Sequence, residues 1–139
     1  MNKCILDTDI LSELGKGVDR TVLRNGNAYR NVFGCLTFST ISVMEIVKGF
    51  QKKRSLGRLQ LFLDSITTEE VLPFDEPAAE LAGKILGELD RIGKPIGFAG
   101  PMIAAIALTR QLEIITGYTA HFEHIQHLAY PLVLANCRV

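Results

Sequence analysis

Asp7 and Asp9 follow directly on the apolar residues Cys4, Ile5 and Leu6, so a short buried first strand is expected to end abruptly in two carboxylates. Acids at that point lie on the carboxyl edge of an open α/β sheet, where such folds bind ligands, and their hard oxygens suit a divalent cation. Asp9 also has a plain structural reading, as the N-cap of a helix that begins Ile10-Leu11-Ser12-Glu13-Leu14. That reading explains Asp9 and leaves Asp7 as the acid with chemistry to do. Glu45 is the next candidate. It follows a second β-branched and aromatic segment, and it either closes a capping box with Ser42 or stands beside Asp7 as a second ligand. Two carboxylates on one sheet edge suit Mg²⁺ or Mn²⁺, which take few protein oxygens and keep several waters.

The elements that must position these acids can be read along the chain. Cys35 to Ile41 predicts a second strand, Ser42 to Gln51 a helix, and Leu56 to Ser65 another. Asp19 to Asn25 is weakly helical, and Asn25-Gly26-Asn27 predicts a turn. Thr67 to Phe74 predicts a third strand closed by Pro73, and Pro77 to Ile92 an amphipathic helix ended by Gly93. Gly97 to Gly100 is expected as a loop, Pro101 to Gln111 as a very apolar helix, Glu113 to Thr116 as a fourth strand, and Leu132 to Leu134 as a last one. Strands alternating with helices predict an α/β fold, a mostly parallel sheet covered on both faces. Asp7, Ser42, Glu45, the Gly97–Gly100 loop and Thr116 should then meet at one edge.

The 139 residues, 47% of them hydrophobic, suit one domain spanning residues 1–139. A mean hydropathy of +0.21 predicts an apolar face covered by a partner or by a second copy. No apolar stretch is long enough for a membrane span and no signal peptide is evident, so a cytoplasmic protein is expected. Cys4, Cys35 and Cys137 are odd in number and far apart, which fits buried reduced thiols better than disulfides or zinc. With 15 basic and 15 acidic residues, composition alone announces no nucleic-acid binder. Lys48, Lys52, Lys53, Arg54 and Arg58 nevertheless cluster, as a solvated helix face or a track for phosphates. His121, His124 and His127 lack any completing ligand at zinc spacing and read as packing or surface residues.

Four ordered motifs carry a resemblance over essentially the whole chain. They are Ile5-Leu6-Asp7-Thr8-Asp9, then Ser42-Val43-Met44-Glu45, then Gly93-Lys94-Pro95-Ile96-Gly97 leading into Ile103-Ala104-Ala105, and Ile115-Thr116 with His121-Phe122. In order and spacing they resemble the PIN domain, and within it the VapC toxins of toxin–antitoxin pairs. The resemblance implies a three-layer α/β/α fold, a Mg²⁺- or Mn²⁺-dependent ribonuclease, a homodimer and a VapB-like antitoxin reaching into the acidic site. Asp7 matches the first metal-binding aspartate and Glu45 the glutamate of the second motif. Asp9, Ser42 and Thr116 become supporting positions, and Lys48, Lys52 and Arg54 candidate contacts to RNA phosphates. Two polar positions of the pattern are replaced. Gly100 stands where an aspartate is usual, and Tyr118 where Asn or Asp is common.

The third motif further predicts Gly100 as the N-cap and Pro101 as the first residue of the apolar helix. The expected function is therefore an RNA-hydrolysing endonuclease toxin with a compromised acidic site. The alternative is a catalytically impaired PIN domain kept as a module that binds an antitoxin or another partner. A phosphoacceptor receiver domain, which also places acids after its first strand, would need an acceptor aspartate after the third strand and a lysine after the fifth. Neither is present.

Overall fold

A computed structural model describes residues 1–135. Its five strands, β1 (Cys4–Leu6), β2 (Thr37–Ser39), β3 (Glu70–Leu72), β4 (Glu113–Ile115) and β5 (Leu134–Ala135), form one parallel sheet in the order β3-β2-β1-β4-β5. Helices α1 (Thr8–Lys16) and α2 (Arg20–Phe33) connect β1 to β2, and α3 (Thr40–Lys52) and α4 (Leu56–Ser65) lead on to β3. Helices α5 (Glu76–Arg91) and α6 (Ala99–Arg110) return the chain to β4, and α7 (Ala120–His127) precedes β5. This is the expected three-layer α/β/α arrangement.

Alternation along the strands feeds two cores. Ile5 and Ile114 pack with α5, α6 and α7, whereas Cys4, Leu6 and Phe38 pack with Ile10, Leu11, Val22 and Tyr29 of α1 and α2. Both faces are covered, which is why apolar residues of β1 and β4 point to either side of the sheet. From β1 the chain winds outward to β3 and then crosses back to β4, so strand order reverses between β1 and β4. That reversal opens a crevice at the carboxyl ends of the two strands, the usual ligand site of such sheets.

Several local expectations are corrected. Residues 25–27 form no turn, because α2 runs unbroken through Gly26. A Cβ on Gly26 would meet Leu14 Cδ2 at 2.7 Å, so this glycine lets α1 and α2 approach closely. The second strand stops at Ser39, whose side chain caps α3 by accepting from the Ser42 N–H. The Ser42–Glu45 capping box is therefore not formed. The third strand is confined to Glu70–Leu72. Helix α6 starts at Ala99 with Phe98 as N-cap, so Gly100 and Pro101 lie within its first turn, not at the cap and first position. The last strand lies one to two residues later than expected, and α7 was not foreseen. Cys4 is buried and Cys35 half-buried, and neither forms a disulfide; Cys137 lies outside the described residues. Among those residues no helix is long and apolar enough to cross a membrane.

Candidate active site

Asp7 continues the ladder of β1, its N–H donating to Ile115 O at 2.9 Å, and then turns the chain into α1. It is the N-cap of that helix. Its Oδ1 accepts from the Thr8 N–H at 2.8 Å, and its Oδ2 accepts from Thr116 Oγ1 at 2.9 Å. The capping role assigned to Asp9 from sequence thus belongs to Asp7, which has a structural task as well as a chemical one. Asp9 sits in the first turn of α1, where its Oδ2 accepts from the Gly117 N–H at 3.0 Å. These bonds fasten the start of α1 to the loop after β4.

Thr8 ties the second acid to the first. Its hydroxyl donates to Glu45 Oε1 at 2.6 Å and lies 2.8 Å from Ser42 Oγ. A threonine hydroxyl has a single proton, so with that proton on the carboxylate, Ser42 is the donor in the second bond. Ser42 and Thr116 are both fully buried. Thr116 bonds Asp7 directly, Ser42 reaches Glu45 only through Thr8, and neither lines the cleft.

The cleft has a volume of about 430 Å³. Asp7, Thr8, Asp9 and Glu45 form its acidic wall, and Ile96 to Gly100 with Tyr118, His121 and Phe122 complete it. Burial pushes the Asp7 carboxyl up to about 6, with the charges of Asp9 and Glu45 adding to the rise and the bonds from Thr116 and Thr8 opposing it. Like charges crowded in this way are what a bound cation would relieve. Gly100 lines the cleft without a side chain, and a Cβ there would meet only Ile96 Cδ1, at 4.0 Å. Space for an aspartate is therefore present. Among the described residues no three His, Cys, Asp or Glu side chains converge to enclose a metal. The donor set fits a Mg²⁺ or Mn²⁺ ion held by one or two carboxylates and otherwise hydrated.

The three candidate phosphate contacts are exposed and lie outside the cleft. Lys48 and Lys52 are three and seven residues beyond Glu45 on α3, a spacing that puts them on the same side of the helix, and Arg54 follows its end. None of the three enters the ion pairs formed among the described residues. Of the histidines, His121 reaches the cleft, while His124 is half-buried and His127 exposed. Sequence reasoning missed Thr8, Gly117 and Phe98. Thr8 was visible only as the residue between two acids, and Phe98 only as an aromatic in a glycine-bounded loop.

No family model matches the chain. A tRNA(fMet)-specific endonuclease VapC of Shigella flexneri is 33% identical over 129 residues, which cover 90% of this chain and 93% of the relative. The chain belongs to the VapC family. A VapC ribonuclease of Sinorhizobium fredii is 32% identical over 86% of this chain and 89% of its own length. Among solved structures, the DNA-bound VapBC of Salmonella typhimurium is similar with a TM-score of 0.79 and 28% identity, covering 99% of both chains. FitAcB of Neisseria gonorrhoeae follows with a TM-score of 0.72 and 26% identity over 96% and 97%. The VapC family is one of ribonuclease toxins, and the resemblance read from the four motifs stands.

Proposed function

We propose that this VapC chain hydrolyses RNA phosphodiester bonds at the Asp7–Glu45 cleft, with activity reduced by the glycine at position 100. The observation that carries the reading is the Asp7–Thr8–Glu45 network, which fixes two carboxylates at the sheet's reversal point beside a third, Asp9. Asp7 and Glu45 would hold Mg²⁺ or Mn²⁺, which when bound supplies Lewis-acid polarisation of a phosphoryl oxygen and acidifies a water. The chain's own residues orient and exclude. Thr116 and Thr8 hydrogen-bond the two acids, and Asp9 braces the loop that carries Tyr118. The first turn of α6 has no side-chain cap, so its amides, which face the helix start, suit phosphate oxygens. Lys48, Lys52 and Arg54 would take phosphates further along the strand.

The VapBC and FitAcB structures support a VapB-like antitoxin as the partner. We further propose that it silences this cleft and that the chain works as a cytoplasmic homodimer. The Shigella relative's tRNA(fMet) is the first substrate to try. The replacements at Gly100 and Tyr118 favour a second reading, a binding module with little chemistry. One comparison separates the two: the chain as it stands against Gly100→Asp, each on RNA with Mg²⁺, with Mn²⁺ and with EDTA. Weak cleavage by the first and strong metal-dependent cleavage by the second is expected. Cleavage by both that ignores EDTA would overturn the metal site, and no cleavage by either would leave the binding module as the function.

A further inference from the structure

Two exposed aromatic side chains of this protein, Phe98 and Tyr118, sit in the same acid-lined cleft. Phe98 is 71% exposed and Tyr118 57%. Each is placed by backbone held from behind. Phe98 follows Gly97, whose left-handed φ of 80° turns the chain into α6. The Tyr118 N–H donates to Thr116 Oγ1 at 3.0 Å, and its ring meets the His121 imidazole edge-on, with centroids 5.0 Å apart and planes at 90°. Tyr118 is thus packed along one side and open to the cleft.

Such rings cost hydration wherever they are exposed, and single exposed apolar residues need no explanation. Two beside one set of acids do. The cleft walls carry three carboxylates and no lysine or arginine, so their side chains offer a polyanion no charge pairing, and only the α6 amides or a bound cation would draw its phosphates. Neither of these grips a base, and stacking on an aromatic face is a force indifferent to phosphate charge that can.

We propose that Phe98 and Tyr118 form a nucleobase subsite, on which unpaired RNA bases flanking the scissile phosphate stack, with His121 buttressing the Tyr118 ring. The subsite rests on the ribonuclease reading for its ligand. It commits to bases in single strands or loops, because a base paired within a helix offers no free face. On this view the aromatic ring at position 118 trades a polar contribution to the acid site for a grip on the substrate.

The test measures binding apart from turnover. The full chain carrying Asp7→Asn, which lowers the repulsion and stops cleavage, is titrated in Mg²⁺ with a short fluorescent single-stranded RNA. Adding Phe98→Ala or Tyr118→Ala should weaken binding roughly 5- to 100-fold, about 1–3 kcal/mol at 1.4 kcal/mol per tenfold. Phe98→Trp and Tyr118→Phe should keep it, and thermal melting should be unchanged because both rings are exposed. With an RNA that is abasic throughout the bound segment, the alanine variants and their parent should bind equally. Binding that survives both alanine changes, or that falls equally on the abasic RNA, overturns the subsite and leaves the proposed function standing. If the parent binds no RNA at all, both fail.

Discussion

Thr116, fully buried at the end of β4, donates its hydroxyl to Asp7 Oδ2 across 2.9 Å and 109 positions of sequence. Thr116→Val keeps the shape of the side chain and removes the donor. The Asp7 carboxylate then loses a bond in a half-buried place, and stability should fall by about 1–3 kcal/mol. The Asp7 carboxyl should also rise further above its value of about 6, because the Thr116 bond is the largest influence holding it down. Thr116→Ser should stay close to the parent. Urea denaturation reads the first effect and a carboxyl NMR titration the second; an unmoved Asp7 titration in the valine variant refutes the linkage.

Asp7 makes stability depend on pH in a defined direction. Its carboxyl titrates near 3.8 when unfolded and near 6 when folded, so between those values the folded chain binds more protons. Stability should therefore decline as pH rises from about 4 to about 6 and level off above. Discounted for partial exposure, the loss is about 1–2 kcal/mol. Asp7→Asn removes it: the variant should melt higher than the parent at pH 7, with the gain vanishing below pH 4. A constant difference across that range would contradict the assignment.

Gly100→Asp should show a stronger cation-dependent stability than the unsubstituted chain. Without divalent ions the added acid should lower the melting temperature by repulsion. If a third carboxylate tightens Mg²⁺ tenfold, a saturating concentration should return about 1.4 kcal/mol more to the variant than to the parent. Melting curves in EDTA and in a Mg²⁺ series decide this, and identical shifts would exclude a ligand role at position 100.

Replacing Lys48, Lys52 and Arg54 together by glutamine should weaken RNA binding without altering its sequence preference. Three lost phosphate contacts reduce the slope of log affinity against log salt by about 2 for single strands. An unchanged slope would make the stripe a solvated helix face after all.

Much of the scaffold was legible because buried parallel strands write themselves as short runs of apolar and β-branched residues, and because Asp7 follows the first of them directly while Glu45 lies on the helix that follows the second. What escaped was decided by contacts distant in sequence. Which of two aspartates caps α1 depends on the register of Asp7 against Ile115, not on cap preference. Ser39 and Ser42 are one helical turn apart and equally good caps, and only the end of β2 chooses between them. Gly26 reads as a turn until Leu14 is seen against it. Thr8 gains its role from partners 34 and 37 residues away, which no local pattern announces.

The pairing of β1 with β4 carries a consequence for how this protein is made. Residues Cys4 to Leu6 find their β4 neighbours Glu113 to Ile115 only when those have been synthesised, and the Asp7 latch waits for Thr116. At about 5–20 residues per second, several seconds separate the emergence of the first acid from that of its latch. Throughout that interval the nascent chain carries Asp7 unlatched, so a ribosome translating a nuclease is not exposed to the finished cleft until the segment through Thr116 has been made.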